Sequence, residues 1–447
     1  MKLETIAVHA GGEPDPATAA IAPPIHLSTT FEHGPATEIL HGYTYVRDEN
    51  PTQDRLEAAL AQLECARYGK PGQELVQLED SGESRSVGMH TTHGRVASGE
   101  RRAEGTEREK ADPLGRDVTG KAREATTGAL AFASGMGAAA ALLQTLEPGS
   151  HVIFPEDVYV HVRLAQQDYL PNWRIESSVV DMSSAKNVEK ALRPETKLVW
   201  VETPSNPRMS VTDIAAIVRI VRDKWRVTSG EWRDTGAPLV LVDNTFATPV
   251  FQRPLELGAD IVLHSTTKYC GGHSDVQGGA LVLRKRDALY EKLYHTRLVL
   301  GAVCSPFNSW LILRGLRTLP CRMERHAANA MAVALALEGQ KGIERVFYPG
   351  LRSHPGHEVA ARQMSGFGGM MSILVKGGWE DAVRVASRVK LFRNATSLGG
   401  VESLIEHRAS AEGPGSTAPK NLLRLSVGLE HAGDLIEDLL QALGGGG

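Results

Sequence analysis

Cysteine is scarce and scattered in this chain. Its 447 residues carry four, Cys65, Cys270, Cys304 and Cys321, with no CxxC pair. That pattern argues against a disulfide framework or a metal site and fits thiols kept reduced. An excess of charge is also lacking: the net charge of −4 gives no reason to invoke nucleic acid or an anionic membrane as a partner. The N-terminus MKLETIAVHAGG has no basic segment leading into an apolar one, and no stretch is apolar for long enough to span a bilayer. The expectation is a soluble, cytoplasmic chain. Hydrophobic residues make up 42% and charged residues 23%, an ordinary globular composition, and the length predicts two domains at roughly 100–200 residues each.

Against that plain background one stretch stands out, Ile261 to Gly279, IVLHSTTKYCGGHSDVQGG. A short apolar strand leads into hydroxyl residues, a lysine and then small residues and glycine. Hydroxyls and backbone N–H groups at a strand exit suit a phosphate, and a lysine there can form a Schiff base with a carbonyl cofactor. Lys268 is thus the candidate to hold pyridoxal phosphate, although STTK alone reads as readily as a polar surface loop. Upstream, PLVLVDNTF (238–246) ends an apolar run in Asp243, the pattern of a buried parallel strand delivering a carboxylate at its C-terminal end. A carboxylate there can pair with a pyridinium nitrogen; the plainer alternative is a helix N-cap at Asp243 or Asn244.

The chain divides into four parts. Residues 1–65 form an extended, turn-rich arm with Tyr45 and Arg47 close together, followed by an amphipathic helix over 53–63. Residues 66–127 are polar, glycine-rich and of mixed charge, which predicts a disordered insertion. Residues 128–286 alternate strand and helix patterns, an α/β domain around a mainly parallel sheet flanked by helices. Within it, ALAFASGMGAAAALLQTL predicts a strand, a turn and a helix whose first N–H groups, at Gly135 and Met136, suit an anion. Tyr159 and Asn206 follow other predicted strands, where a ring can stack on a cofactor and an amide can donate to it. Residues 287–447 read as a smaller α/β domain, with helices expected over 314–330, 379–388 and 434–443 and strands over 369–375 and 422–427.

Eight motifs occur together: YxRxxNPT at Tyr45–Thr52, FASGM at Phe132–Met136, EDVY at Glu156–Tyr159, ETPSNP at Glu202–Pro207, VDNTF at Val242–Phe246, STTKYxxGHSD at Ser265–Asp275, SLGGVESL at Ser397–Leu404 and LLRLSVGLE at Leu422–Glu430. In this order they resemble the trans-sulfuration enzymes, the pyridoxal-phosphate family that includes cystathionine γ-lyase, γ-synthase, β-lyase and methionine γ-lyase. The likeness covers the chain apart from 66–127 and a shorter insertion near 225–235. It implies the PLP-dependent transferase fold of type I and a homotetramer built as a dimer of dimers, with pyridoxal 5'-phosphate at a subunit boundary. Lys268 then matches the cofactor-bearing lysine and Asp243 the pyridinium partner. Ser265, Thr267, Gly135 and Met136 match the phosphate cradle, completed by Tyr45 and Arg47 of a neighbouring subunit. Tyr159 matches the stacking tyrosine that also exchanges a proton with the departing group. Arg424 matches the clamp on the substrate carboxylate, helped by Ser397 and Asn206.

The resemblance implies a small sulfur amino acid as substrate and γ-elimination from cystathionine as the first choice, with γ-replacement on an acylated homoserine next and β-lyase or methionine γ-lyase activity after these. Two departures bear on specificity. Thr396 stands where γ-lyases and γ-synthases commonly carry a glutamate, and VHV follows Tyr159 where relatives have glycine or, in methionine γ-lyases, a nearby cysteine. His407 and Arg408, after SLGGVESL, are expected to face solvent. A cofactor-binding chain that turns nothing over is the alternative of a different class.

Overall fold

The computed structural model describes residues 1–65, 127–229 and 236–444. The insertion expected at 66–127 therefore lies outside the described residues, save Thr127. Short apolar runs make the strands of the larger sheet: β1 (Gly128–Phe132), β2 (His151–Pro155), β3 (Glu176–Val180), β4 (Thr196–Glu202), β5 (Leu239–Asp243), β6 (Ile261–His264) and β7 (Gly279–Leu283). They pair in the order β1-β7-β6-β5-β4-β2-β3. All pairings from β6 through to β3 are parallel, and β7 runs antiparallel to both β1 and β6.

The inner strands are largely apolar because both faces of the sheet are covered, whereas the edge strand β3, ESSVV, is partly exposed. Along β4, Leu198 and Trp200 pack with Phe132 and Phe154 on one face, while Val199 and Val201 pack with Ile214, Ile217 and Val221 on the other. The alternation is the two-residue period of a strand, and the three isoleucine and valine positions are the inner stripe of the helix Ile214–Ser229. That helix runs through Trp225, so the short insertion expected near 225–235 is helical in its first part; 230–235 lie outside the described residues.

A second, smaller sheet contains β8 (Ile343–Phe347), β9 (Met370–Val375), β10 (Arg393–Asn394), β11 (Leu404–His407) and β12 (Leu422–Ser426), in the order β10-β11-β12-β9-β8. Only the β10 and β11 pair is parallel. Leu423 and Leu425 of β12 pack with Leu435 and Leu439 of the helix Ala432–Gly444, so Arg424 between them faces away from those helices. The single helix expected over 314–330 is two, Pro306–Leu316 and Leu319–Leu337. Pro320 explains the break: it lacks an N–H and is tolerated only in a first helical turn.

The arm ends in the helix Pro51–Glu64, whose N-cap Asn50 accepts from the Thr52 N–H while Pro51 occupies the first turn. It buries Leu56, Leu60 and Leu63 together with two carboxylates, Glu57 paired to Arg297 and Glu64 to His264. Among the described residues no helix is long and apolar enough to cross a membrane.

Candidate active site

The C-terminal ends of β4, β5 and β6 lie side by side, with Glu202 in register with Asp243 and Asp243 with Leu263. In an open parallel sheet this is where ligands bind. A cavity of about 250 Å³ opens there, walled on its far side by β11, β12 and the segment before β11. Ten of the twelve predicted site residues line it: Lys268, Asp243, Ser265, Thr267 and Asn206; Gly135, Met136 and Tyr159; Ser397 and Arg424.

At one end the helix Gly135–Leu143 begins. Its N-cap Ser134 accepts from the Gly137 N–H at 3.0 Å, leaving the first N–H groups without helical partners. Gly135 is packed so tightly that a Cβ there would stand 3.0 Å from the Cβ of Ser265. Ser265 is anchored in turn by donating its N–H to the Thr245 hydroxyl at 2.9 Å. The Thr267 hydroxyl and Gly278 exchange two hydrogen bonds of 3.0 Å. Hydroxyls and helix N–H groups converge here, an arrangement of the kind that suits an anion.

In the middle stand two acids and an amine. Asp243 accepts from the Thr245 N–H at 3.0 Å, and enclosure by protein raises its pKa. Glu202, beside it, accepts the N–H of Tyr159 at 2.8 Å and that of Asn206 at 3.0 Å. Burial first, and the charge of Asp243 second, lift its pKa well above the usual carboxyl range. Glu202 thus acts as a bracket tying two loops to the sheet, and sequence reading passed over it. The signal was present, since KLVWVE ends in an acid as PLVLVD does. The Lys268 Nζ donates to the Ser397 Oγ at 2.8 Å, and burial, with the charge of Arg424 next, lowers its pKa to about 8.

At the other end Arg424 is buried and donates to the Asn206 Oδ1 at 3.1 Å, the Ser397 carbonyl at 3.0 Å and the Glu406 Oε2 at 2.7 Å. Burial and then the nearby Arg408 lower its pKa to about 10. Ser397 has φ +105°, a conformation L residues rarely adopt; it turns the hydroxyl to Lys268 and the carbonyl to Arg424. Glu406, opposite Arg424 across the β11 and β12 pair, also takes a 2.6 Å bond from Thr396. Burial opposes its charge, but Arg424, Thr396 and Arg408 outweigh burial and hold its pKa below the usual value.

The expectation that His407 and Arg408 face solvent is wrong. Arg408 is buried and lines the cavity, bonded to Glu406 at 2.6 Å and Glu412 at 2.8 Å. The buried His407 ring lies between the Ser410 hydroxyl and the Lys420 carbonyl, each at 2.7 Å. The cause is tertiary: β11 is an inner strand, and the short helix Arg408–Glu412 folds back over the site, so carboxylates replace water around the guanidinium. Tyr45 and Arg47 do not reach the cavity. Tyr45 is 44% exposed with the Arg47 guanidinium 5.5 Å from its ring centre.

Over residues 4–71 and 120–444 the chain matches the family model described as Cys/Met metabolism PLP-dependent enzyme. Cystathionine gamma-synthase of Mycobacterium leprae is 42% identical over 447 residues, covering 99% of this chain and 96% of that one. Cystathionine gamma-lyase of Dictyostelium discoideum is 38% identical over 451 residues, with 99% and 97% covered. The crystal structure of cystathionine gamma synthase from Xanthomonas oryzae superposes with a TM-score of 0.79 at 35% identity, covering 99% of this chain and 98% of that one.

Proposed function

The chain belongs to the Cys/Met metabolism PLP-dependent enzymes, and from that premise we propose that it breaks the bond from Cγ to a sulfur or oxygen substituent in a cystathionine-class amino acid. Pyridoxal phosphate, the cofactor of the family, fits the residues present. A carboxylate enclosed by protein, Asp243, suits a cationic ring nitrogen, and the tight corner of Gly135, Met136, Ser265 and Thr267 suits a phosphate. Lys268 offers an amine whose lowered pKa of about 8 favours its nucleophilic form. When bound there, the cofactor supplies an electron sink that makes removal of the substrate Cα proton affordable.

The observation that carries the reading is the arrangement at Ser397: the Lys268 amine and the Arg424 guanidinium meet the same residue at 2.8 and 3.0 Å. A carboxylate clamped by Arg424 brings the adjacent Cα within reach of the Lys268 Nζ. Lys268 takes the Cα proton and, once it has passed that proton on and is again a free amine, takes one from the neighbouring carbon, which allows the γ-substituent to leave. Arg424 fixes which Cα bond is broken. Asn206 and Glu406 hold Arg424, and Tyr159 gives a proton to the departing group.

The fate of the freed γ-carbon separates two readings. Replacement by cysteine on an acylated homoserine is supported by the 42% identity with a γ-synthase, and elimination from cystathionine, the first choice from sequence, by the 38% identity with a γ-lyase. Tyr45 and Arg47 act on a neighbouring copy in a dimer of dimers, which fits their distance from their own cavity. Purified with pyridoxal phosphate, the chain should be yellow and bleached by borohydride. It should release 2-oxobutanoate from cystathionine or form cystathionine from cysteine and an acylated homoserine. Lys268→Ala should lose colour and turnover together; turnover that survives this change defeats the reading.

A further inference from the structure

One contact in the cavity brings a residue with no part in the chemistry above to one that has. The His161 Nδ1 lies 2.8 Å from the Tyr159 Oη, with ring centres 5.2 Å apart, and both residues line the cavity. Tyr159 is the N-cap of the helix Val160–Asp168, so His161, in its first turn, returns its ring to the tyrosine. His161 is exposed whereas Tyr159 is half-buried.

We propose that His161 is the proton partner of Tyr159, carrying protons between solvent and the tyrosine hydroxyl that serves the departing or entering group. The inference rests on the acid–base role given to Tyr159 above and adds how that hydroxyl is recharged. As the γ-substituent leaves, the Tyr159 Oη–H bond breaks and its proton goes to the departing sulfur or oxygen. The His161 Nδ1–H gives its proton to Tyr159, and the Nε2 takes one from solvent. Each group regains one proton for each it loses, and nothing is oxidised. For an incoming thiol the same transfers run outward.

The need for a partner is physical. Burial raises the Tyr159 pKa, although Arg408 and Arg424 oppose the rise; Glu202 and Asp243 add to it. These are the charged groups facing the phenol from β4, β5, β12 and the helix Arg408–Glu412. A phenol in this setting gives up its proton reluctantly and needs close by a group that returns a proton as its own departs. Imidazole, whose type changes charge between about pH 5 and 8, is suited to the task, and its two nitrogens allow entry on one side and exit on the other.

Three measurements test this. His161→Phe keeps the ring contact and removes both nitrogens; it should lower kcat about 10- to 100-fold, up to the lower edge of a lost general acid, with KM changed less than about twofold. In His161→Gly, added imidazole should restore turnover. In cofactor-free protein carrying 13Cζ-tyrosine, the Tyr159 resonance, assigned by its loss in Tyr159→Phe, should move in His161→Phe. Unchanged kcat in His161→Phe, no rescue by imidazole, or a Tyr159 signal indifferent to His161 overturns the proposal. Failure of the parent reading has its own mark: undiminished kcat in Tyr159→Phe, which removes the role of Tyr159 and this proposal together.

Discussion

Single side chains show how burial sets reactivity in this molecule. Lys268 has its pKa lowered to about 8 by burial and by Arg424. Acylation of Lys268 by a small reagent in the cofactor-free chain, followed by peptide mass spectrometry, should therefore climb with pH through a midpoint at about 8 and level off above it, whereas exposed lysines reach their midpoint only at about 10.4. A curve still rising at the higher value would show an ordinary amine. Glu202 moves the other way. Its folded pKa is raised above 4.5, so the folded chain holds this proton more tightly than the unfolded chain does. The stability it contributes is complete below 4.5 and is lost as pH rises through the folded value. Glu202→Gln keeps an acceptor for Tyr159 and Asn206 without that loss. Denaturant midpoints should match wild type in acid and exceed it at mildly alkaline pH; a variant weaker than wild type at both would mean that the carboxylate is ionised in the fold.

Among the elements, the site depends on how closely the turn before the helix Gly135–Leu143 lies against β7. A Cβ on Gly279 would stand 2.2 Å from the Ser134 carbonyl oxygen and 2.6 Å from the Gly135 nitrogen. Both are backbone atoms, so the turn itself must move. Gly279→Ala should cost about 1–3 kcal/mol, the range for overpacking, read as a lower thermal midpoint, and should weaken retention of pyridoxal phosphate as well. Full retention would show that the corner does not hold the cofactor. On the opposite wall, β12 sends leucines to its helices and Arg424 to the cavity. A shift of one residue in its pairing with β11 would exchange these faces, removing the guanidinium from Glu406 and Asn206.

At the scale of the whole molecule, the arm is buried at both ends, by Leu3 and Ile6 and by the helix Pro51–Glu64, and largely exposed between them. Its Tyr45 and Arg47 lie away from their own cavity, and Ile21, Leu27, Ile39 and Leu40 are exposed along it. If the arm completes a neighbour's site, Lys268→Ala and Arg47→Ala chains should each be weak alone but complement when refolded together. Random pairing restores about one quarter of the sites in symmetric dimers. Mixed oligomers, verified by mass, that stay as weak as their parents would show that Arg47 serves its own chain or none.

Much of this was readable along the chain. Asp243 ends and Lys268 follows an apolar run that reads as a buried strand, and the chemistry of each appears within a few residues of its strand. Leucines marked the helix expected over 53–63, which the structure begins two residues earlier, at Pro51. Glu406, Arg408 and His161 were not readable, because each matters through a partner supplied by another strand, another helix or a turn of its own helix, and nothing in local composition marks such a pairing. By itself the sequence determined the alternation of strands and helices, the order of the motifs and the residue types able to hold a phosphate, a ring nitrogen and a carboxylate. Which groups meet was decided only in three dimensions. Strand register set Glu202 beside Asp243 and Glu406 beside Arg424, and loss of water around them then moved their proton affinities, a consequence of enclosure that no linear pattern contains.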